Sequence, residues 1–137
     1  MPTLIAPLLS IVPLGAEHSS LMKEVQFAAG QLGLDIEKDP EPNEFRFVRS
    51  DQYSFVMNKI PALHIKYGNK TNIPGFDMVN FVKEWRAKYY HRQPDNPDGI
   101  FDYAAAKKYV QLNFLISYAI AQAKGRPVWN TGDLFGE

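Results

Sequence analysis

Short apolar runs of strand length alternate with segments of helical period along this chain, and that alternation restricts its fold more than any other feature. Residues 8–14 form an apolar run with the length of a buried strand. Leu21, Val25, Ala28, Ala29 and Leu32 then fall on one helical face, with Ser19 or Ser20 as the cap and Gly33 as the stop. Residues 34–36 are a brief extended piece. The turn-forming cluster at 39–43 leads to Phe45, Phe47 and Val48, which read as a strand. Ser50 or Asp51 can cap a short helix over 52–58, and residues 61–67 form a second buried strand ended by Gly68. Met78, Phe81, Val82, Trp85 and Tyr89 recur at helical spacing over 76–89. A loop of turn residues follows at 91–99. Asp102 then caps the longest helix, over 103–124, whose Ala105, Tyr109, Leu112, Ile116 and Ile120 make one apolar face. Residues 126–137 read as an irregular tail. This order predicts an α/β fold with three α/β/α layers and a mostly parallel sheet.

Composition narrows the function. A chain of 137 residues with 45% hydrophobic side chains suits one domain with its own core. Fifteen basic residues balance 15 acidic ones, and no basic stripe occurs, which argues against nucleic acid and anionic membranes as partners. With no cysteine, disulfides and thiolate metal sites are excluded. No apolar run reaches the roughly 18 residues of a membrane span. Residues 1–15 are apolar but carry no basic residue and contain Pro2, Pro7 and Pro13, so they lack the charged start of a signal peptide. They read as a buried strand or connection, and the opening looks like a cut through a larger domain. The cellular compartment stays open.

His91 is the first candidate for chemistry. It follows a helix and opens a Pro/Asp/Gly loop, and a neutral imidazole is a good zinc ligand. Asp95 can contact its second ring nitrogen or shape the loop. Tyr90 can offer a phenol hydroxyl to a developing oxyanion. Taken on spacing alone, the three also fit a helix-terminal Tyr and a loop His with nothing bound. Asp51 in the segment Arg49-Ser50-Asp51-Gln52 reads first as a helix cap, and otherwise as a pocket wall. Arg49 can pair with Asp51 or with a substrate carboxylate. His64, between Leu63 and Ile65, reads as a core histidine, and His18 as a surface or capping residue. The helical aromatics read as core rather than as a platform for bases. No nucleophile elbow, dinucleotide fingerprint, P-loop or HExxH motif occurs.

Several blocks together resemble one family. They are LGAEHSSL at 14–21, DPEPNEFRFVRSDQYSFV at 39–56, IPALHIKYG at 60–68, EWRAKYYHRQPD at 84–95, and the terminal helix into RPVWN at 126–130. The chain resembles the C-terminal part of the co-catalytic di-zinc exopeptidases, peptidase family M28. The resemblance implies His91 as a zinc ligand, Tyr90 as the transition-state hydroxyl, and Asp95 as the carboxylate following the ligand. It implies that Arg49, Ser50, Asp51 and Gln52 line the pocket; many members carry His where this chain has Gln52. The family's first zinc His, bridging Asp and Glu pair have no counterpart here, and a further ligand Asp would directly precede Met1. The resemblance therefore implies one zinc ligand of about five, and no general-base Glu. It implies zinc and a peptide substrate in the complete enzyme, little or no zinc binding by this chain alone, and an inactive isolated chain. Relatives are often exported. Loss of the front half would expose a sheet edge, so the expected partners are the missing N-terminal half or a second copy joined at that edge. The alternative is a non-catalytic half-domain that binds or oligomerises.

Overall fold

The computed structural model describes residues 5–96 and 99–137. The expected start of the N-terminal connection at Met1-Pro2, and Pro97-Asp98 of the turn-rich loop, lie outside the described residues. Strand β1 (Ser10–Leu14) is buried at all five positions, as its unbroken apolar run predicts for a central strand. Helix α1 (Met22–Gln31) crosses over to β2 (Asp35–Ile36), which pairs parallel to β1 through Ser10 opposite Asp35 and Ile11 opposite Ile36. Gly33, at a φ of 59°, supplies the left-handed residue that ends α1. A short helix α2 (Tyr53–Val56) precedes β3 (His64–Tyr67), which pairs antiparallel to β1 from Ile11 opposite Tyr67 to Leu14 opposite His64. Helices α3 (Met78–Lys88) and α4 (Tyr103–Gln122) complete the described elements.

The fold is α/β, but the sheet differs from the mostly parallel one expected. It is mixed, in the order β2-β1-β3, and its longer ladder is antiparallel. A parallel neighbour needs a crossover, and α1 provides the one between β1 and β2. Between β2 and β3 the chain makes no second crossover. Phe45, Phe47 and Val48 are not a strand: the chain makes a tight turn at Pro42–Glu44, Phe45 adopts a φ of 49°, and turns continue to α2. The Arg46 guanidinium, bound to Asp39 and to Glu41 at 3.0 Å, fastens this turn onto the proline-rich loop.

Helices α1 and α4 pack with β1 and β3 around one core containing Ile11, Val25, Ala28, Ile65, Leu112 and Ile116. Helix α3 contributes Met78 and Val82 to a second cluster with Ile5, and Tyr67 touches both clusters. Asp102 caps α4 as expected, its carboxylate accepting from the Ala105 N–H at 2.8 Å; such a cap contributes about 1 kcal/mol. Of the serines expected as caps for α1 and α2, Ser19 accepts from the Leu21 N–H at 3.4 Å just ahead of α1, and no serine caps α2. Leu21 occupies the cap of α1 and Gln52 that of α2, each without a capping side chain. Ser20 instead accepts from the Val128 N–H at 3.0 Å, and Ser50 donates to the Arg46 carbonyl at 3.3 Å. No helix among the described residues is long and apolar enough to cross a membrane.

Candidate active site

The segment 49–52 turns sharply into α2, and the side chains of Arg49, Ser50 and Gln52 are committed locally. Arg49 donates to the Glu44 carbonyl at 3.2 Å and lies 3.5 Å from its carboxylate, so it pairs with Glu44 rather than with Asp51. Gln52 donates through its amide to the Phe47 carbonyl. Asp51 is exposed and caps nothing. Some 40 residues later, α3 ends and the chain reverses at His91, which takes a φ of 56°. That left-handed conformation is uncommon for a side chain with a Cβ, and histidine tolerates it better than most. The His91 ring stacks on Tyr90 with centroids 3.9 Å apart and planes 20° apart.

These two segments meet. Arg49, Ser50, Asp51, Gln52, Tyr90 and His91 all line one cavity of about 1190 Å³. Its floor is the approach to β3, residues 59–65, and its far wall is the α4 face bearing Tyr109, Asn113 and Ile116. Tyr109 fastens that wall to the floor by donating its hydroxyl to the Ile65 carbonyl at 2.8 Å. Asp95 stands apart. It lines a separate cavity of about 240 Å³, and its carboxylate accepts from the His91 backbone N–H at 3.3 Å. Of the two uses expected for Asp95, this contact is loop shaping. Among the described residues, no three His, Asp or Glu side chains gather where they could hold a metal ion.

His64 belongs to the cavity, which the strand pattern around it did not disclose. It is half-buried, it lines the cavity floor, and its Nδ1 is sealed without a hydrogen-bond partner. His64 is the first residue of β3, and only the folded chain shows that the approach to that strand lines the pocket. Burial, and then the nearby cations Lys66 and Arg46, lower its pKa from 6.5 to about 4, against a smaller upward pull from Asp51. The unfolded chain therefore binds more protons than the folded one between pH 6.5 and pH 4. Stability is whole above that window and falls as pH drops through it. Allowing for solvent around a half-buried ring, His64 accounts for a loss of about 1.5 kcal/mol by pH 4. His64→Leu is expected to flatten this part of the pH dependence. Urea unfolding near neutrality and near pH 4 checks it; an unchanged slope would remove His64 as the cause.

His18 is a second departure from expectation. It caps no helix and is only partly exposed: its Nδ1 donates to Asp133 at 2.8 Å, and its ring packs against Phe47 and Phe135. The tail holding Asp133 is irregular, as expected, yet firmly tied. The Trp129 indole donates to the Lys59 carbonyl at 3.0 Å, and Asn130 donates to the His18 carbonyl at 2.9 Å. Lys59, another left-handed residue at a φ of 61°, is thereby fixed on the cavity floor.

The sequence model of one family, Peptidase family M28, matches the chain over residues 7–116. No curated protein and no solved structure matches it.

Proposed function

The chain belongs to peptidase family M28, and from that premise we propose that residues 1–137 are the C-terminal part of a zinc-dependent metallo-exopeptidase domain. In its complete form the domain would release N-terminal residues from peptides and have three layers around a mostly parallel sheet. The observation that carries this reading is the shared cavity. Two segments about 40 residues apart, each unremarkable locally, place Tyr90, His91 and residues 49–52 around one space. There the Tyr90 hydroxyl is a donor for the oxygen that gains charge during peptide-bond attack. His91 presents an imidazole suited to a metal. Arg49, Ser50, Asp51 and Gln52 form a polar wall against the substrate, and Asp95 holds the His91 loop.

The family is generally zinc-dependent, but the described residues do not by themselves fit a zinc ion. One imidazole beside a phenol lacks the three or four donors such an ion takes, and the Asp95 carboxylate is engaged by the His91 backbone. The remaining donors and the general-base carboxylate belong to the front half of the domain in this reading. The purified 137-residue chain is therefore expected to show no peptidase turnover of aminoacyl chromogenic substrates above that of zinc in buffer. Robust, chelator-sensitive turnover would sink the half-domain reading.

A second reading, a non-catalytic module that binds or oligomerises, is favoured by one observation. Helix α4 carries exposed Tyr103, Val110, Phe114 and Tyr118 on the side away from its buried Ala105, Leu112 and Ile116. A helix apolar on both sides is normally covered on both, and β2 and β3 are the edges of the described sheet. Light scattering on the same preparation decides it: a sharp monomer at micromolar concentration removes the self-associating form.

A further inference from the structure

Beside the main cavity lies a smaller one of about 280 Å³ with an unusual charge. Four cations line it: Arg46 and Arg49 from the turn before α2, Lys66 from β3, and Arg86 from α3. The single carboxylate on its wall is Glu44. Arg46 is balanced by Asp39 and Glu41, and Arg49 is loosely balanced by Glu44. Lys66 and Arg86 have no carboxylate partner among the described residues; Arg86 donates only to the Tyr67 hydroxyl, at 3.1 Å. The Arg46 Nε–H is buried and unpartnered. Three elements thus bring cations together with donors to spare.

Such an arrangement costs free energy unless an anion completes it. The like charges repel in a partly desolvated place, and a buried donor is left unmade. The Lys66 ammonium registers the strain: burial, and then Arg86 and Arg46, hold its pKa below the ordinary lysine value. Strand geometry explains how the site adjoins the first. Residues two apart share a strand face, so His64 and Lys66 lie side by side, one opening on each cavity. Arg49, Ser50 and Tyr90 line both cavities and form the partition between them.

We propose that this smaller cavity is an oxyanion subsite, which takes a carboxylate of a peptide seated in the main cavity. The site stands on its charges and unpaired donors; the peptide as the source of the carboxylate rests on the peptidase reading. Arginine suits the task because its planar fork meets two oxygens at once, and Lys66 adds a compact charge.

The test is calorimetric titration of the full chain with four probes: inorganic phosphate, Gln-Ala-Ala-amide (neutral in its side chain and C-terminus), and two peptides that each add one carboxylate, Glu-Ala-Ala-amide and Gln-Ala-Ala with a free C-terminus. One of the two acidic peptides is expected to bind about tenfold more tightly than the neutral one, the effect of one charge-assisted hydrogen bond. Which of them does so identifies a side-chain or a terminal carboxylate. Lys66→Met is expected to erase that margin and leave the neutral peptide's affinity unchanged. This variant removes a repelled cation and so should fold; Arg86→Met is the independent second variant. Phosphate binding that depends on Lys66, with acidic and neutral peptides bound alike, keeps the site and makes free phosphate its anion. If phosphate binds in this way and no peptide binds, the site stands and the peptidase reading fails. Equal binding of all peptides with no phosphate binding overturns the site and spares the peptide cavity. Binding of none of the four overturns both.

Discussion

Gly15→Ala is expected to destabilise the chain by about 3 kcal/mol, combining a left-handed backbone with an overpacked contact. Gly15 ends β1 at a φ of 89°, and a Cβ there would overlap the Phe47 ring and lie 2.7 Å from the Ala62 carbonyl oxygen. Neither neighbour can retreat easily. Phe47 is held between His18 and Phe135, with centroids 5.8 and 5.4 Å away, and Ala62 is backbone on the floor of the main cavity. The variant should lower the urea midpoint at unchanged denaturant slope. A loss below about 1 kcal/mol would mean that the turn carrying Phe47 is free to move away. The substitution also probes the site, because the displaced groups support residues 49–52 and the approach to β3.

The second large effect is expected at Leu112. Its side chain is fully buried in the core shared by α1, β1 and α4, and Leu112→Ala should cost about 3 kcal/mol in lost burial and residual cavity. One turn to either side, Tyr109 and Ile116 line the main cavity, so loosening α4 loosens the cavity wall. Equilibrium unfolding measures the loss, and a value near zero would mean that α4 is not docked on the sheet. Loss of stability together with a weakened peptide titration would tie the helix to the site.

Elements with a strong period were legible in the sequence. The apolar run at 8–14 and the helical faces of α1, α3 and α4 lie where their patterns put them, because burial on one face is what writes the pattern. Phe45, Phe47 and Val48 misled because their apolar character serves a different end. Phe47 fills an aromatic cluster with His18 and Phe135, contacts made by a turn and a distant tail rather than by a sheet neighbour. The sheet is less parallel than the pattern predicts for the same reason: a strand at 45–48 would imply a crossover that the chain does not make. The site was legible only in pieces. Local physics could place Tyr90-His91 at a helix end and residues 49–52 at a turn, but their meeting on one cavity depends on tertiary structure; only the family resemblance anticipated it. His64 and Lys66 were hidden by strand alternation, which separates the two faces without saying which one meets open space.

The clasp between His18 and Asp133 spans 115 positions in sequence, and with the Trp129 contact to Lys59, 70 positions away, it makes the ends of the chain interdependent. Contacts that distant are entropically costly to close and tend to form late. Synthesis delivers the N-terminal residues first, so β1 and α1 exist long before residues 129–135 do. The indole tether on Lys59, at the cavity floor, is therefore among the last contacts that synthesis makes available, after α4 has supplied Leu112 and Ile116 to the core.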